Sequence, residues 1–387
     1  MWKFDVIIIG GGPSGAMSGI ELQKRGIKTC IIDKSTFPRE KLCGGLLTQK
    51  SVDLIKKYCP DIKHEDFIVE NTHKVDFYHK GQKVTTFKTD MSYSFTERKI
   101  FDFLLIQNYK RLGGTLFENK RIRKDNIDLE NNTIQIDTET FNYKVLIGAD
   151  GCNSILTKKK QIKRFDSFCL EGELKKENIE EKEFSIYFGR VKNGYGWYFP
   201  KKDYYSVGIG GDNSNKSLKK QAELFFEKIS SGSISNIKGA FIPSGRLFNY
   251  EKFNNNTLVV GDAAGYTDPI TGEGLYYALL SGVYAAETTI ETIQLNSLNF
   301  KKTYLKKTRF IRKNIKYALF LQKILYCPLV LSLFMRFIKN HKSFVLFYLE
   351  NVMSTNKYNY INFIGLYWLN YILRYRGKIL LLCKKSF

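Results

Sequence analysis

The β-branched run at residues 5–9 breaks off into Gly10-Gly11-Gly12-Pro13-Ser14-Gly15, and this junction restricts what the chain can fold into more than any other feature. A helix-compatible segment follows, with Ala16, Ile20 and Leu22 apolar and Gly26 as a stop. Thr29–Ile32 then reads as a second strand ending in Asp33. Strand, glycine turn, helix, strand and acid in that order make a β-turn-α-β unit. Gly10 permits the tight turn, Gly12 lets a pyrophosphate approach the backbone, and Gly15 lets the helix pack on the strand. The helix start offers free N–H groups and a positive dipole end to phosphate. Asp33 stands 18 residues after Gly15, about the separation of an acid that holds a ribose hydroxyl pair, and an acid there disfavours a 2′-phosphate. The unit predicts a dinucleotide site.

Two later strands end in the same way. Val145–Gly148 runs into Ala149-Asp150-Gly151, with Asn153 and Ser154 suited to turn or cap roles. The run at residues 258–260 ends in Gly261-Asp262, and Asp268-Pro269-Ile270-Thr271-Gly272-Glu273-Gly274 opens a helix. Asp262 reads either as a helix cap or, given the glycines around it, as part of a backbone surface lying against a ligand. A helix starting near Gly272 would aim its dipole at developing negative charge. Between these junctions, Phe37-Pro38-Arg39-Glu40-Lys41-Leu42-Cys43-Gly44-Gly45 places two adjacent glycines after a cysteine, which suits backbone packed against something flat, or an ordinary surface loop. Residues 66–95 and 166–210 alternate with strand character. Within the second stretch Tyr195, Trp197 and Phe199 share one face of a strand and form either a core face or the wall of a pocket.

Charge is spread unevenly over the 387 residues. Residues 300–387 hold 18 Lys/Arg against one acid, Glu350, whereas the rest of the chain is nearly balanced. A basic tail implies a polyanionic partner. Its longest uncharged stretches, residues 324–335 with Pro328 and residues 358–373, fall short of the roughly 20 apolar residues of a spanning helix. Tyr, Trp and flanking bases suit a helix lying in a membrane interface, and the other reading is a helical domain that roofs the pocket. The bulky aliphatics and the lack of a nucleic-acid module speak against nucleic acid as partner. Seven cysteines, odd in number and without C-x-x-C spacing, argue against a disulfide framework or a metal site and for a reducing compartment. A strand-like run begins almost at once, leaving no room for the apolar core of a signal peptide. The expected location is cytoplasmic, peripheral on the inner face of the cell membrane.

In chain order, GGGPSG with Asp33, ADGCNS at residues 149–154 and GDAAGYTDPITGEG at residues 261–274 resemble the geranylgeranyl reductase family of FAD-dependent oxidoreductases, within the p-hydroxybenzoate-hydroxylase-like flavoproteins. FPREKLCGG at residues 37–45 and YGWYFP at residues 195–200 narrow the likeness to the reductases and depart from the flavin halogenases. The resemblance implies FAD as cofactor, with Gly10, Gly12, Ser14 and Gly15 at the pyrophosphate and Asp33 with Lys34 at the adenosine ribose. It implies Cys43 and Gly44 beside the isoalloxazine, Arg98 in contact with FAD, and Asp262 at the ribityl or pyrophosphate part. Gly274 and Leu275 would offer backbone near the ring, supported by Asp150 and Gly151.

The implied fold is α/β (α+β overall). A Rossmann-type FAD-binding domain (residues 1–65, 96–165 and 250–299) carries an inserted, mostly antiparallel β-sheet substrate domain (66–95 and 166–249). A basic, amphipathic helical segment (300–387) follows. The family reduces isoprenoid carbon–carbon double bonds, so the expectation is hydride transfer from flavin N5 to an apolar lipid held by orientation alone. Tyr195, Trp197 and Phe199 are candidates for its tunnel wall. Cys43 either moves the proton or only packs against the flavin. The electron donor would be NAD(P)H or an acidic ferredoxin docking on the basic surface. An FAD-dependent monooxygenase or halogenase acting on an apolar or aromatic substrate shares the fold and is the alternative.

Overall fold

The computed structural model describes residues 1–157, 167–177, 183–212, 218–229, 233–243, 245, 247, 248, 256–295, 299–351, 353 and 360. Its centre is a five-stranded sheet in the spatial order Thr257–Val259, Val145–Gly148, Val6–Ile9, Thr29–Ile32, Thr115–Phe117, parallel throughout. The three inner strands and the edge strand Thr257–Val259 are buried at every residue, as a parallel sheet covered on both faces requires. Alternation divides their side chains. Val6, Ile8, Ile31 and Ile147 join the core beneath the helices Pro13–Gln23 and Leu275–Leu295. Ile7, Ile9, Cys30, Ile32 and Leu146 pack on the other face against Ile134, Ile136 and Phe141. These last three belong to a small four-stranded sheet of Trp2–Lys3, Glu139–Asn142, Thr133–Ile136 and Ile127–Asp128, an element that the sequence pattern did not announce.

The helix Pro13–Gln23 starts directly on Gly12 with Pro13 in its first turn, where a missing N–H costs nothing. Its closeness to the sheet depends on two glycines. Gly10 has φ +104°, and a Cβ there would stand 2.4 Å from the Ala149 carbonyl oxygen. A Cβ on Gly15 would stand 1.9 Å from the carbonyl oxygen of Gly10.

A second sheet has eight strands in the order Ser235–Ile242, Ser167–Lys175, Tyr204–Asp212, Tyr195–Pro200, Ser185–Phe188, Glu70–His79, Gln82–Phe95, Leu46–Leu47. It is antiparallel except where Ser185–Phe188 runs parallel to Glu70–His79. Residues 70–95 and 167–242 thus share one sheet. Leu46–Leu47, placed with the nucleotide-binding part by its position in sequence, pairs with Phe95 and Ser94 at its edge. One face carries Tyr198, Val207 and Ile209 against the helix Leu218–Ile229. The other carries Phe87, Phe95, Trp197 and Phe199, in one cluster with Leu331, Met335, Ile338, Val345 and Leu349.

Those last residues come from the C-terminal region, which forms the helices Phe300–Lys307, Arg309–Leu325, Pro328–Asn340 and Lys342–Asn351. The uncharged stretch at residues 324–335 is broken at Tyr326 and Cys327, Pro328 starts a new helix, and the chain bends by 95°. Among the described residues no single helix is long and apolar enough to cross a membrane. Residues 361–387, with most of the second uncharged stretch, lie outside the described residues.

Gly15→Ala is expected to destabilise the fold by about 1–3 kcal/mol, because the added methyl must push the helix off the Gly10 carbonyl. The midpoint of urea unfolding checks this.

Candidate active site

The carboxyl ends of Val6–Ile9 and Thr29–Ile32 and the loop after Val145–Gly148 open on one cavity of about 790 Å³. It continues from there to the aromatic face of the eight-stranded sheet. Crevices at strand carboxyl ends are where open α/β sheets bind their ligands. Gly10, Gly12, Ser14, Asp33, Lys34, Asp150, Gly151 and Asp262 line its nucleotide end. Cys43, Gly44, Arg98, Gly274, Leu275, Tyr195, Trp197 and Phe199 line the remainder. Gly15 is the exception among the residues singled out from sequence. It lies under the loop, where it acts by allowing close packing and not by touching a ligand.

Each glycine loop is held by a buried ionisable group. Asp33, 6% exposed, accepts from Gly11 N at 2.7 Å and from Ser35 N at 2.8 Å. Its carboxylate therefore shapes the glycine turn as well as facing the cavity. Asp102, with no exposed surface, accepts both arms of the Arg98 guanidinium at 2.7 and 2.8 Å and pairs with Arg39 at 3.2 Å. Burial alone would lower the Arg98 pKa, but the charge and hydrogen bonds of Asp102, helped by Cys43, hold it above its ordinary value. Arg98 also hydrogen-bonds Cys43, whose Sγ accepts from Gly45 N at 3.4 Å.

Lys201, 2% exposed, donates to the carbonyl oxygens of Gly44 at 2.8 Å and Thr96 at 2.7 Å. Burial pulls its ammonium down to about 8, against the opposing influence of Cys43, Glu171 and Glu97. The Cys-Gly-Gly loop is thereby tied to the strand that carries Trp197 and Phe199.

The third glycine loop is clamped from several elements. Asp268, raised in pKa by burial, accepts from Ile270 N at 2.8 Å and Thr271 N at 3.0 Å, and Tyr360 donates to its other oxygen at 2.7 Å. Glu273 pairs with Lys50 at 2.7 Å and accepts from Thr48 at 2.7 Å. Gln322 donates to Pro269 O and Tyr326 to Ile270 O, at 2.7 and 3.0 Å, and Tyr195 donates to Thr271 O. The C-terminal helices thus hold the loop that leads into the helix Leu275–Leu295. That helix begins at Leu275, a little later than the start near Gly272 read from sequence.

One carboxyl faces the aromatic end. Glu171 shares a strand face with Cys169 and lines the cavity. Trp197 Nε1 donates to Ser206 Oγ at 3.2 Å, and Ser206 hydrogen-bonds Glu171. Glu171 Oε2 is enclosed and has no partner among the described residues. Burial pushes this carboxyl up to about 7, with Lys201 and Ser206 opposing.

Sequence reasoning missed Arg39, Asp102, Glu171 and Lys201. Arg98 and Asp102 stand four apart on a helix, a pairing distance that was legible. Lys201 directly follows YGWYFP but joins the site only because two strands bring it beneath Gly44. Nothing local distinguishes Glu171 from a solvated strand carboxylate.

The cavity fits a flavin dinucleotide. A Cβ on Gly12 would meet nothing closer than Arg39 at 3.6 Å, so the first turn of the helix stands open to a phosphate. Asp150 accepts from Ile155 N at 2.7 Å, its Oδ1 is buried without a partner among the described residues, and burial raises the pKa of the carboxyl, which leaves it ready for a ligand hydroxyl. Lys34, Lys41, Lys120 and Arg121 add positive charge at the mouth.

A family model described as an FAD binding domain matches residues 3–171. The chain is 32% identical to an uncharacterized protein of Methanosarcina barkeri, covering 86% of each chain. It is 28% identical to the digeranylgeranylglycerophospholipid reductase of Methanococcus vannielii, covering 83% of this chain and 87% of that one. A geranylgeranyl bacteriochlorophyll reductase-like protein of Thermoplasma acidophilum superimposes with a TM-score of 0.73 at 22% identity, over 84% of this chain and 88% of that one. The flavin-dependent brominase Bmp2 shares the fold, with a TM-score of 0.71 at 19% identity over 90% and 93%. The protein is an FAD-dependent oxidoreductase.

Two outcomes are expected. Lys201→Met leaves two buried carbonyls without donors, each costing about 1–3 kcal/mol, so FAD retained on purification should fall while the helix content measured by circular dichroism stays. For Glu171, a folded-state pKa raised from 4.5 to about 7 means that the fold disfavours the ionised form. Stability contributed by the protonated carboxyl is full below pH 4.5 and lost as pH rises toward 7. Glu171→Gln should therefore raise Tm more at pH 8 than at pH 5, as thermal melts at the two pH values would show.

Proposed function

Since the chain belongs to the geranylgeranyl reductase family of FAD-dependent oxidoreductases, we propose that it reduces carbon–carbon double bonds of an isoprenoid or related lipid. The observation that carries this reading is the continuity of the cavity. A phosphate cradle at one end and an apolar aromatic wall at the other are one space. Bound FAD supplies a hydride from N5 of its reduced ring. An alkene offers no oxyanion to stabilise, so the residues must orient it and exclude water.

Trp197 and Phe199, 7% and 5% exposed, have rings 6.1 Å apart and inclined by 37°, and Tyr195 continues the wall. Phe199 is in turn packed against the rings of Phe95 and Phe184. The wall suits an elongated apolar chain. Hydride addition to one alkene carbon needs a proton at the other. Two groups facing this end can hold it. Cys43 Sγ accepts from Gly45 N and hydrogen-bonds Arg98, which holds it at this end of the cavity. Glu171 carries a carboxyl that burial keeps substantially protonated near neutral pH. Reducing equivalents would come from NAD(P)H or an acidic ferredoxin, both suited to the basic mouth.

The test is anaerobic. The purified protein is reduced with dithionite and mixed with geranylgeranyl lipids while flavin absorbance is followed. Reoxidation without oxygen, together with a product heavier by two hydrogens per reduced bond, is the expected result. A flavin that stays reduced until oxygen is admitted would overturn it in favour of monooxygenase or halogenase chemistry.

A further inference from the structure

The helices Arg309–Leu325 and Pro328–Asn340 each bury one stripe against the body. Ile311, Ile315, Ala318 and Gln322 point inward from the first, and Leu331, Met335 and Ile338 from the second. Their outer faces are also apolar. Phe320 and Ile324 are 65% and 46% exposed, and Leu329, Leu333 and Phe337 are 70%, 55% and 38% exposed. Positions 320 and 324 are four apart, as are 329, 333 and 337, so each set forms a single line along its helix. Five of the 11 exposed large hydrophobics among the described residues lie on these two helices. Scattered single residues need no explanation, but a concentration of this kind marks a contact surface.

The surroundings say what kind of surface it meets. Lys313, Lys316, Lys323, Arg336, Lys339 and Lys342 are exposed around these lines, and no acid occurs between residues 300 and 349. The apolar lines with basic flanks and no acids describe an interfacial helix on an anionic bilayer. A protein partner would have to bring both an apolar face and a wholly acidic rim. The 95° bend between the helices is unfit for a single span, yet it lets both helices lie in one plane. Their inner stripes are already committed to the body, which again excludes spanning.

The pair also packs on segments that lead into the cavity wall. Leu319, beside Phe320, would stand 2.7 Å from a Cβ on Gly245, close in sequence to the cavity-lining Ile242 and Pro243. Gln322 holds the carbonyl of Pro269 in the third glycine loop.

We propose that the outer face of these two helices docks the protein on an anionic lipid bilayer, with Phe320, Ile324, Leu329, Leu333 and Phe337 inserted between headgroups and the basic side chains on lipid phosphates. This rests on the surface alone and not on the reaction.

The test is flotation of the full-length, flavin-loaded protein with vesicles. Phosphatidylcholine vesicles containing phosphatidylglycerol are compared with phosphatidylcholine alone, at low and high salt. The protein should float with the anionic vesicles at low salt and lose most of this binding in high salt. Leu329→Glu combined with Leu333→Glu should weaken the binding at least about tenfold. Both side chains are exposed, so flavin content and Tm should not change. Leu224→Glu, at a residue 48% exposed on the distant helix Leu218–Ile229, should bind like the unaltered protein. Failure of the folded protein to float with anionic vesicles overturns the proposal. So does undiminished flotation of the double variant, which would place membrane binding elsewhere in the chain. A dimer in light scattering that Leu333→Glu dissociates would instead make the face an interface between copies.

Discussion

Backbone that must lie bare against a ligand cannot be held in place by its own side chains, and in this protein buried charges do that work. The Gly10–Gly12 turn hangs on Asp33. The Cys43-Gly44-Gly45 turn hangs on Lys201 and, through Arg98, on Asp102. The loop from Asp268 to Gly274 is organised by Asp268 itself and by the Glu273–Lys50 pair. A glycine loop has the highest conformational entropy to lose. A buried charge-assisted hydrogen bond is among the few interactions that are strong and directional enough to offset it.

The cost of burying those charges is contained by satisfying them. Asp33 and Asp102 receive two or more donors each, and Lys201 finds two carbonyls. Two carboxyl atoms break the pattern. Asp150 Oδ1 at the nucleotide end and Glu171 Oε2 at the aromatic end have no partner among the described residues. Both line the cavity. An unpaired buried oxygen facing a ligand space belongs to the chemistry of the site more readily than to the scaffold.

The C-terminal helices serve both halves of the molecule. Leu331, Met335, Ile338, Val345 and Leu349 close the core of the large sheet behind the aromatic wall. Gln322, Tyr326 and Tyr360 fasten the third glycine loop. The inner stripes of these helices are thus committed to the body, and the interfacial role read from sequence is the one proposed for their outer faces.

The glycine junctions, the acid after the second strand and the alternation of Tyr195, Trp197 and Phe199 were legible in the sequence, because each depends on local geometry. A tight turn needs glycine, a strand presents every second side chain to one side, and a helix start binds phosphate wherever it is placed. The four-stranded sheet over Ile7 and Ile9, the pairing of Leu46–Leu47 with the far end of the large sheet, the roles of Glu171 and Lys201, and the burial of Asp102 with its second partner Arg39 were not legible. Asp102 and Lys201 are ordinary charged residues in sequence, and their effect comes from burial and from partners that are distant in the chain, such as Lys201 and Thr96 or Arg39 and Asp102. The sequence by itself determined that three strands would end in glycine-rich turns, the first of them in the pattern of a dinucleotide site. Tertiary structure decided which charges hold that backbone still, because desolvation and long-range pairing exist only once the chain has closed around them.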